Sequence, residues 1–188
     1  MVWHDGPDFT RLSRLAAAQP AEVAGMLAAG LEAQDPLAAQ SIVALAEEGM
    51  TPEGAETLLR AAAVDATEAF LVRVAQALHI VTGDESWAGP VASVLASDAF
   101  WGVRIDAAAA LGQFAPTPAL VEALGRGVVD DEYLVRYHSA NTLLHYAGRA
   151  KKDISEYPAL FDKITSDGAA TAGEAAATLT AEALKRIS

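Results

Sequence analysis

Apolar residues recur along this chain with the 3.6-residue period of amphipathic helices. No segment shows the sustained alternation of apolar and polar residues that is typical of a strand, and Gly-Val-Val at 127–129 is too short to form one. The pattern predicts an all-α fold with about eleven helices. Their expected ranges are 8–18, 20–33, 36–48, 52–64, 66–82, 87–97, 100–114, 118–128, 132–148, 156–166 and 169–186.

Four segments repeat one pattern at intervals of 32 or 33 residues. They begin at residues 37, 70, 103 and 135 and read LAAQSIVAL, FLVRVAQAL, VRIDAAAAL and VRYHSANTL. Each opens on an apolar residue and closes on a small residue followed by leucine. A fixed period of this length is typical of a solenoid.

Prolines mark a second helix in each repeat. Proline suits the first turn of a helix because its missing amide hydrogen would have no partner there. Five prolines open a further helical pattern between the repeated segments, namely Pro20, Pro52, Pro90, Pro118 and Pro158. Each repeat is therefore expected to be a pair of helices.

Two of these segments resemble a known family. The stretches DAFWGVRIDAAAALG at 98–112 and DEYLVRYHSANTLL at 131–144 are similar to the Asp, Val-Arg and Ala-Leu-Gly signature of HEAT repeats. The similarity is greatest to the short bacterial HEAT-like repeats that also occur in phycobilin lyase subunits. It weakens towards the N-terminus, where Ala38 stands in the place of the arginine.

The resemblance implies a right-handed α-solenoid that forms a single domain over residues 1–188, with helical caps at about 8–18 and 169–186. It also implies that the Val-Arg helices line the concave face. In such repeats the turn aspartate and the arginine of successive units form a structural ladder. The residues expected in that ladder are Asp98, Arg104, Asp130 and Arg136.

A polar strip is the candidate binding site. If Val135 and Leu143 face the core with the small residues between them, then His138, Asn141 and His145 share one exposed stripe of their helix. Tyr137 flanks the stripe, and the aligned positions of neighbouring repeats add Asp106, Gln113, Arg73 and Gln76. The alternative interpretation is that these side chains are solvated or satisfied within the helix packing.

Two tryptophans allow opposite interpretations. Trp87 and Trp101 are either exposed anchors at an interface or fillers between packed helices. A tryptophan beside a helix start is more often a filler, and for Trp101 this is the favoured interpretation.

Charge restricts the partners. The chain has 25 acidic and 13 basic residues and a formal net charge of −12 at pH 7. Nucleic acids and anionic membranes attract lysine and arginine and repel carboxylates, so neither is expected as the main partner. A basic or apolar partner fits better. The alternative is that the acidity only keeps an alanine-rich chain in solution.

The residues offer little for catalysis. Without cysteine there is no disulfide, thiolate metal site or thiol nucleophile. No Gly-rich phosphate loop, nucleophile elbow or zinc-protease helix occurs. His138 and His145 lie two helical turns apart, too far to share one ion. The His-Glu dipeptides of deoxyhypusine hydroxylase, a HEAT-like iron enzyme, do not occur either. No metal, cofactor or enzymatic activity is expected.

The sequence therefore favours a non-catalytic HEAT-like scaffold that binds a protein or peptide on its concave face. The N-terminus lacks the basic and apolar segments of a secretory signal, and the expected location is the cytoplasm. Two alternatives stay open: an accessory subunit of a tetrapyrrole (bilin) lyase-like enzyme, and an acidic immunity-type protein that masks a basic partner.

Overall fold

The computed structural model describes residues 7–166 and 169–188. Within these ranges there are eleven α-helices and no strand, which confirms the all-α prediction. Two 3-10 turns, Glu85–Trp87 and Ile154–Glu156, complete the regular structure. The helices are α1 (Phe9–Ala18), α2 (Pro20–Glu32), α3 (Pro36–Glu47), α4 (Ala55–Ala63), α5 (Glu68–Thr82), α6 (Ala88–Leu95), α7 (Trp101–Leu111), α8 (Pro118–Gly127), α9 (Tyr133–Tyr146), α10 (Pro158–Thr165) and α11 (Ala169–Ile187).

Proline marks most of the helix starts that the sequence predicts. It is the first residue of α2, α8 and α10, and Pro90 lies in the first turn of α6. The prediction is wrong for Pro52, because α4 begins only after Gly54. Gly54 has a φ of +74°, a left-handed conformation that interrupts a right-handed helix.

Side-chain caps satisfy amides at the starts of α3 and α8. The Asp35 carboxylate accepts a hydrogen bond from the amide of Leu37 at 2.9 Å, at the first turn of α3. The Thr117 hydroxyl accepts one from the amide of Leu120 at 3.3 Å, at the first turn of α8. Both caps satisfy amides that have no partner within the helix.

The chain divides into two compact units after Trp87. In the first unit α3 packs on α5, α2 packs on α3 and α4, and α4 packs on α5. The Trp87 ring is half-buried against the core of this unit. Its larger core side chains are Val23, Leu27, Leu31, Ile42, Leu45, Leu59, Phe70 and Leu78.

The second unit begins at Ala88. Here α7 packs on α6 and α9, α8 packs on α6, α9 and α11, and α10 packs on α11. The fully buried large side chains of this unit are Leu111, Leu124, Leu143, Leu144, Ile154, Ile164 and Leu179. Alanines of α7 and α9 are also buried, and their small side chains allow the two helices to lie close together.

Two hydrogen bonds show how α7 and α9 are aligned. The Thr142 hydroxyl donates to the carbonyl of Ala108 at 2.8 Å, and the Tyr146 hydroxyl donates to the carbonyl of Leu111 at 2.5 Å. From Thr142 to Tyr146 on α9 the bonded carbonyl on α7 moves from Ala108 to Leu111, so the two helices run parallel. Their N-terminal ends therefore lie at the same end of the pair.

Helices α8 and α9 lie close together at Gly127 and Ser139. Both residues are buried, and a Cβ atom on Gly127 would overlap the Ser139 hydroxyl oxygen and lie 3.0 Å from the Ser139 Cβ. That hydroxyl has no hydrogen-bond partner among the residues that the structure describes. Only glycine at position 127 permits this spacing.

Replacing Gly127 with alanine is expected to destabilise the fold by about 1–3 kcal/mol, because the added methyl group must displace the buried Ser139 side chain of α9. Gly173→Ala is the matched control, since a Cβ on this helical glycine meets nothing within 4 Å. The control is expected to raise stability by up to about 1 kcal/mol. Urea denaturation measures both, and equal effects would contradict the close approach.

Candidate binding surface at the N-terminal ends of α7 and α9

Arg104 joins α7 to the turn that precedes α9. Its Nε and Nη2 donate to the two carboxylate oxygens of Asp130 at 3.1 and 2.9 Å. Its Nη1 donates to the carbonyl of Ala99 at 2.6 Å. The Arg104 and Asp130 side chains are only 17% and 16% exposed, so solvent screens this pair weakly. One guanidinium thus holds the turn before α7 beside the turn before α9.

Arg136 makes a different set of contacts. Its Nε donates to the carbonyl of Ile164 at 2.8 Å, and its Nη1 donates to the carbonyls of Asp130 and Asp131, both at 2.9 Å. These bonds attach the start of α9 to the end of α10 and fix the acidic turn. Arg136 therefore binds backbone carbonyls rather than the next aspartate of a ladder.

Asp98, the fourth ladder residue of the sequence prediction, is exposed in the turn before α7. No hydrogen bond or ion pair of the described residues includes its side chain. Its carboxylate therefore faces solvent.

Tyr137 and Asn141 bind the chain's own backbone segment at 153–155. The Tyr137 hydroxyl donates to the Asp153 carboxylate at 2.7 Å, and the Asn141 side-chain oxygen accepts from the amide of Ile154 at 2.7 Å. Asp153 also accepts from the amide of Ser155 at 2.9 Å. Ile154 is fully buried, so these bonds hold a core residue in place.

The same contacts shift two pKa values in opposite directions. Hydrogen bonds from Ser155 and Tyr137 lower the pKa of Asp153, because they stabilise its charged form. The hydrogen bond to Asp153 raises the pKa of Tyr137, because it stabilises the protonated phenol. The pair is therefore intact at neutral pH.

His138 is half-buried beside this pair. Burial lowers its pKa below the usual 6.5, and the nearby carboxylates of Asp106 and Asp153 oppose that shift. The neutral imidazole is thus favoured in the folded protein. Its contribution to stability is present above pH 6.5 and is lost as the pH falls through its lowered pKa.

The other residues of the predicted strip are distributed along the helices. His145 is exposed near the C-terminal end of α9, and Gln113 is exposed just after α7. Arg73 and Gln76 lie on α5 in the first unit, where the Arg73 guanidinium donates to the Gln76 side-chain oxygen at 3.0 Å. Gln76 is buried. Of the predicted strip residues in the second unit, Tyr137, His138 and Asn141 lie around Asp153, and Asp106 lies near His138.

Phe100 and Trp101 form an exposed aromatic pair at the start of α7. Their side chains are 63% and 40% exposed, and their ring centroids lie 4.8 Å apart at an interplanar angle of 45°. The interpretation of Trp101 as a filler is therefore wrong.

Gly102 makes room for the Phe100 ring. A Cβ atom at position 102 would lie 3.0 Å from one edge carbon of that ring. The Phe100 side chain therefore folds back over the first turn of α7, close to Trp101.

Leu134 adds a third exposed apolar side chain in the first turn of α9, where it is 36% exposed. Because α7 and α9 are parallel and Arg104 holds their preceding turns together, Leu134 lies at the same end as the aromatic pair. We call Phe100, Trp101 and Leu134 the aromatic face.

Among the described residues, no three histidine, aspartate or glutamate side chains are grouped closely enough to hold a metal ion. Within the same ranges, no helix combines the length and the apolar composition needed to cross a bilayer.

Replacing Arg104 with alanine is expected to lower the free energy of unfolding by about 2–4 kcal/mol, because the largely buried Asp130 carboxylate loses its cation and the Ala99 carbonyl loses its donor. Arg60→Ala is the control. Arg60 pairs with Glu56 four residues earlier, with side chains 47% and 54% exposed, and its loss is expected to cost less than about 1 kcal/mol. Similar losses in urea denaturation would show that the Arg104 pair has no special structural role.

Asn141→Ala is expected to speed amide hydrogen exchange at Ile154 and to lower stability by about 1 kcal/mol, since the amide of buried Ile154 loses its acceptor. Asn141→Asp retains the acceptor oxygen and is expected to keep exchange at Ile154 slow. Exchange measured by NMR compares the two, and unchanged protection in the alanine variant would rule out the Asn141 bond as the anchor of this segment.

No protein-family model matches this chain, and neither the curated proteins nor the solved structures give a significant match. The function is therefore argued from the residues of the chain itself.

Proposed function

We propose that this chain is a non-catalytic scaffold of HEAT-like helix pairs that binds a protein or peptide. Helix contacts within each unit support the repeat. In the first unit α2 packs on α4 and α3 packs on α5, and in the second unit α6 packs on α8 and α7 packs on α9. Each of these helices packs on the helix two further along the chain, as expected for stacked helix pairs.

The Arg104–Asp130 pair supports the same proposal. It links the Val-Arg helix of one repeat to the turn aspartate of the next, as the resemblance to HEAT repeats implies. The bond is made between consecutive repeats, so it sets the spacing of the stack.

The observation that carries the binding proposal is the exposed Phe100–Trp101 pair. A single exposed apolar side chain is ordinary on a protein surface, but two adjacent aromatic rings in contact expose a larger apolar area. Tryptophan is among the residues that most often dominate the energy of a protein interface. The aromatic face is therefore the proposed contact surface.

The polar residues of α9 are less suited to that role. Tyr137 and Asn141 already bind Asp153 and Ile154, so a partner would have to break these bonds. His145 lies at the opposite end of the helix from the aromatic face. The proposal thus moves the main contact from the polar strip to the N-terminal ends of α7 and α9.

A random-peptide display library selected on the immobilised protein tests this proposal. Binding of the enriched peptides is expected to weaken at least about tenfold in the Phe100→Ala/Trp101→Ala variant, because the loss of an aromatic anchor costs roughly 2 kcal/mol. The melting temperature should change little, since both side chains are exposed.

The matched control is His138→Ala/His145→Ala, which alters the polar strip and is expected to change peptide affinity less than about threefold. The reverse ranking of the two variants would place the contact on the polar strip. Failure to enrich any peptide that depends on the aromatic face would overturn the binding proposal.

A further inference from the structure

We propose that the partner of the aromatic face is a basic amphipathic segment of a protein, with apolar anchors flanked by lysine or arginine. This inference rests on the proposed binding function and adds the chemistry of the partner. It follows from the charges that surround the three exposed apolar side chains.

Acidic side chains adjoin the aromatic face on both helices. Asp98 lies two residues before Phe100, and Asp131 and Glu132 directly precede α9. Asp98 and Asp131 are exposed and Glu132 is half-buried. In the part of the chain that the structure describes, none of these three carboxylates takes part in an ion pair.

The nearby cations are already engaged. Arg104 is bound to Asp130 and to the carbonyl of Ala99, and Arg136 uses its N–H groups on three backbone carbonyls. Four acidic and two basic side chains therefore leave a net charge of −2 at this end of the helices. They are Asp98, Asp130, Asp131, Glu132, Arg104 and Arg136.

This charge selects against a second copy of the chain as the occupant. An identical copy would bring the same acidic turns and a net charge of −12 towards the face. Like charges at an interface oppose association, whereas complementary charges speed association and fix the register. A basic segment is the complementary partner.

A partner helix can span the starts of α7 and α9. Axes of packed helices lie about 8–10 Å apart. Two apolar residues at i and i+7 of a partner helix are separated by about 10 Å along its axis. An amphipathic helix laid across the two N-terminal ends would place one anchor on each.

Three synthetic peptides of about 16 residues test the inference. One carries leucine at i, i+3, i+4 and i+7 with lysine elsewhere, the second carries glutamate in place of lysine, and the third carries serine in place of leucine. Fluorescence anisotropy of labelled peptides measures their dissociation constants. The Lys/Leu peptide is expected to bind at least about tenfold more tightly than the other two.

Two charge variants locate the contact. In Asp98→Asn/Asp131→Asn the affinity for the Lys/Leu peptide is expected to fall at least about fivefold, and its dependence on salt should weaken. Glu22→Gln/Glu32→Gln is the control, since it removes the same charge from exposed positions on α2. It is expected to change the affinity less than about twofold.

Three results would overturn the inference. Equal loss in the two charge variants would mean that only net charge matters, and tight binding of the Glu/Leu peptide would reverse the sign of the partner. Self-association of the chain that disappears in Phe100→Ala/Trp101→Ala would make a second copy the occupant. The proposed function itself would survive if display peptides that need the aromatic face prove neutral or acidic.

Discussion

The second unit depends on one constraint, the way a single guanidinium satisfies three acceptors. Arg104 binds both carboxylate oxygens of Asp130 and the carbonyl of Ala99, so the turns before α7 and α9 cannot separate without leaving charged or polar groups unpaired. Planar geometry makes this fork directional, and it fixes register as well as distance. The aromatic face exists because these two helix starts are held together.

The hydrogen bonds of Arg104 matter because the interface between α7 and α9 is rich in alanine. A buried alanine removes little apolar area from water, so the interface of α7 and α9 gains less from hydrophobic burial than one filled with larger side chains. Small alanine side chains let the two helices lie close together, so that side chains of one helix can form hydrogen bonds with the backbone of the other. The bonds from Thr142 to Ala108 and from Tyr146 to Leu111 are of this kind. Such bonds specify alignment where apolar packing alone would permit sliding.

Local patterns predicted most of the fold, and long-range contacts account for what they missed. Helical periodicity and proline predicted eleven helices, and the main error, at Pro52, came from a glycine φ that composition does not reveal. The resemblance to HEAT repeats, rather than the period itself, implied a ladder that includes Arg104 and Asp130, and these two side chains are paired. Nothing periodic links Asn141 to Ile154, which belongs to a connecting segment outside the repeat. Its polar neighbours were therefore interpreted as a surface strip, although they hold that segment in place.

The acidic side chains in the turns before α7 and α9 also stabilise the helices that follow them. Carboxylates near a helix N-terminus interact favourably with its positive end, at about 0.3–1 kcal/mol each. Neither α7 nor α9 has a side-chain cap, so Asp98 and Glu132 act through charge rather than through hydrogen bonds to amides. A docked lysine or arginine would weaken that interaction while gaining its own. In the proposed complex the net attraction would therefore depend on the aromatic face for most of its energy, and the carboxylates would decide mainly which segment binds.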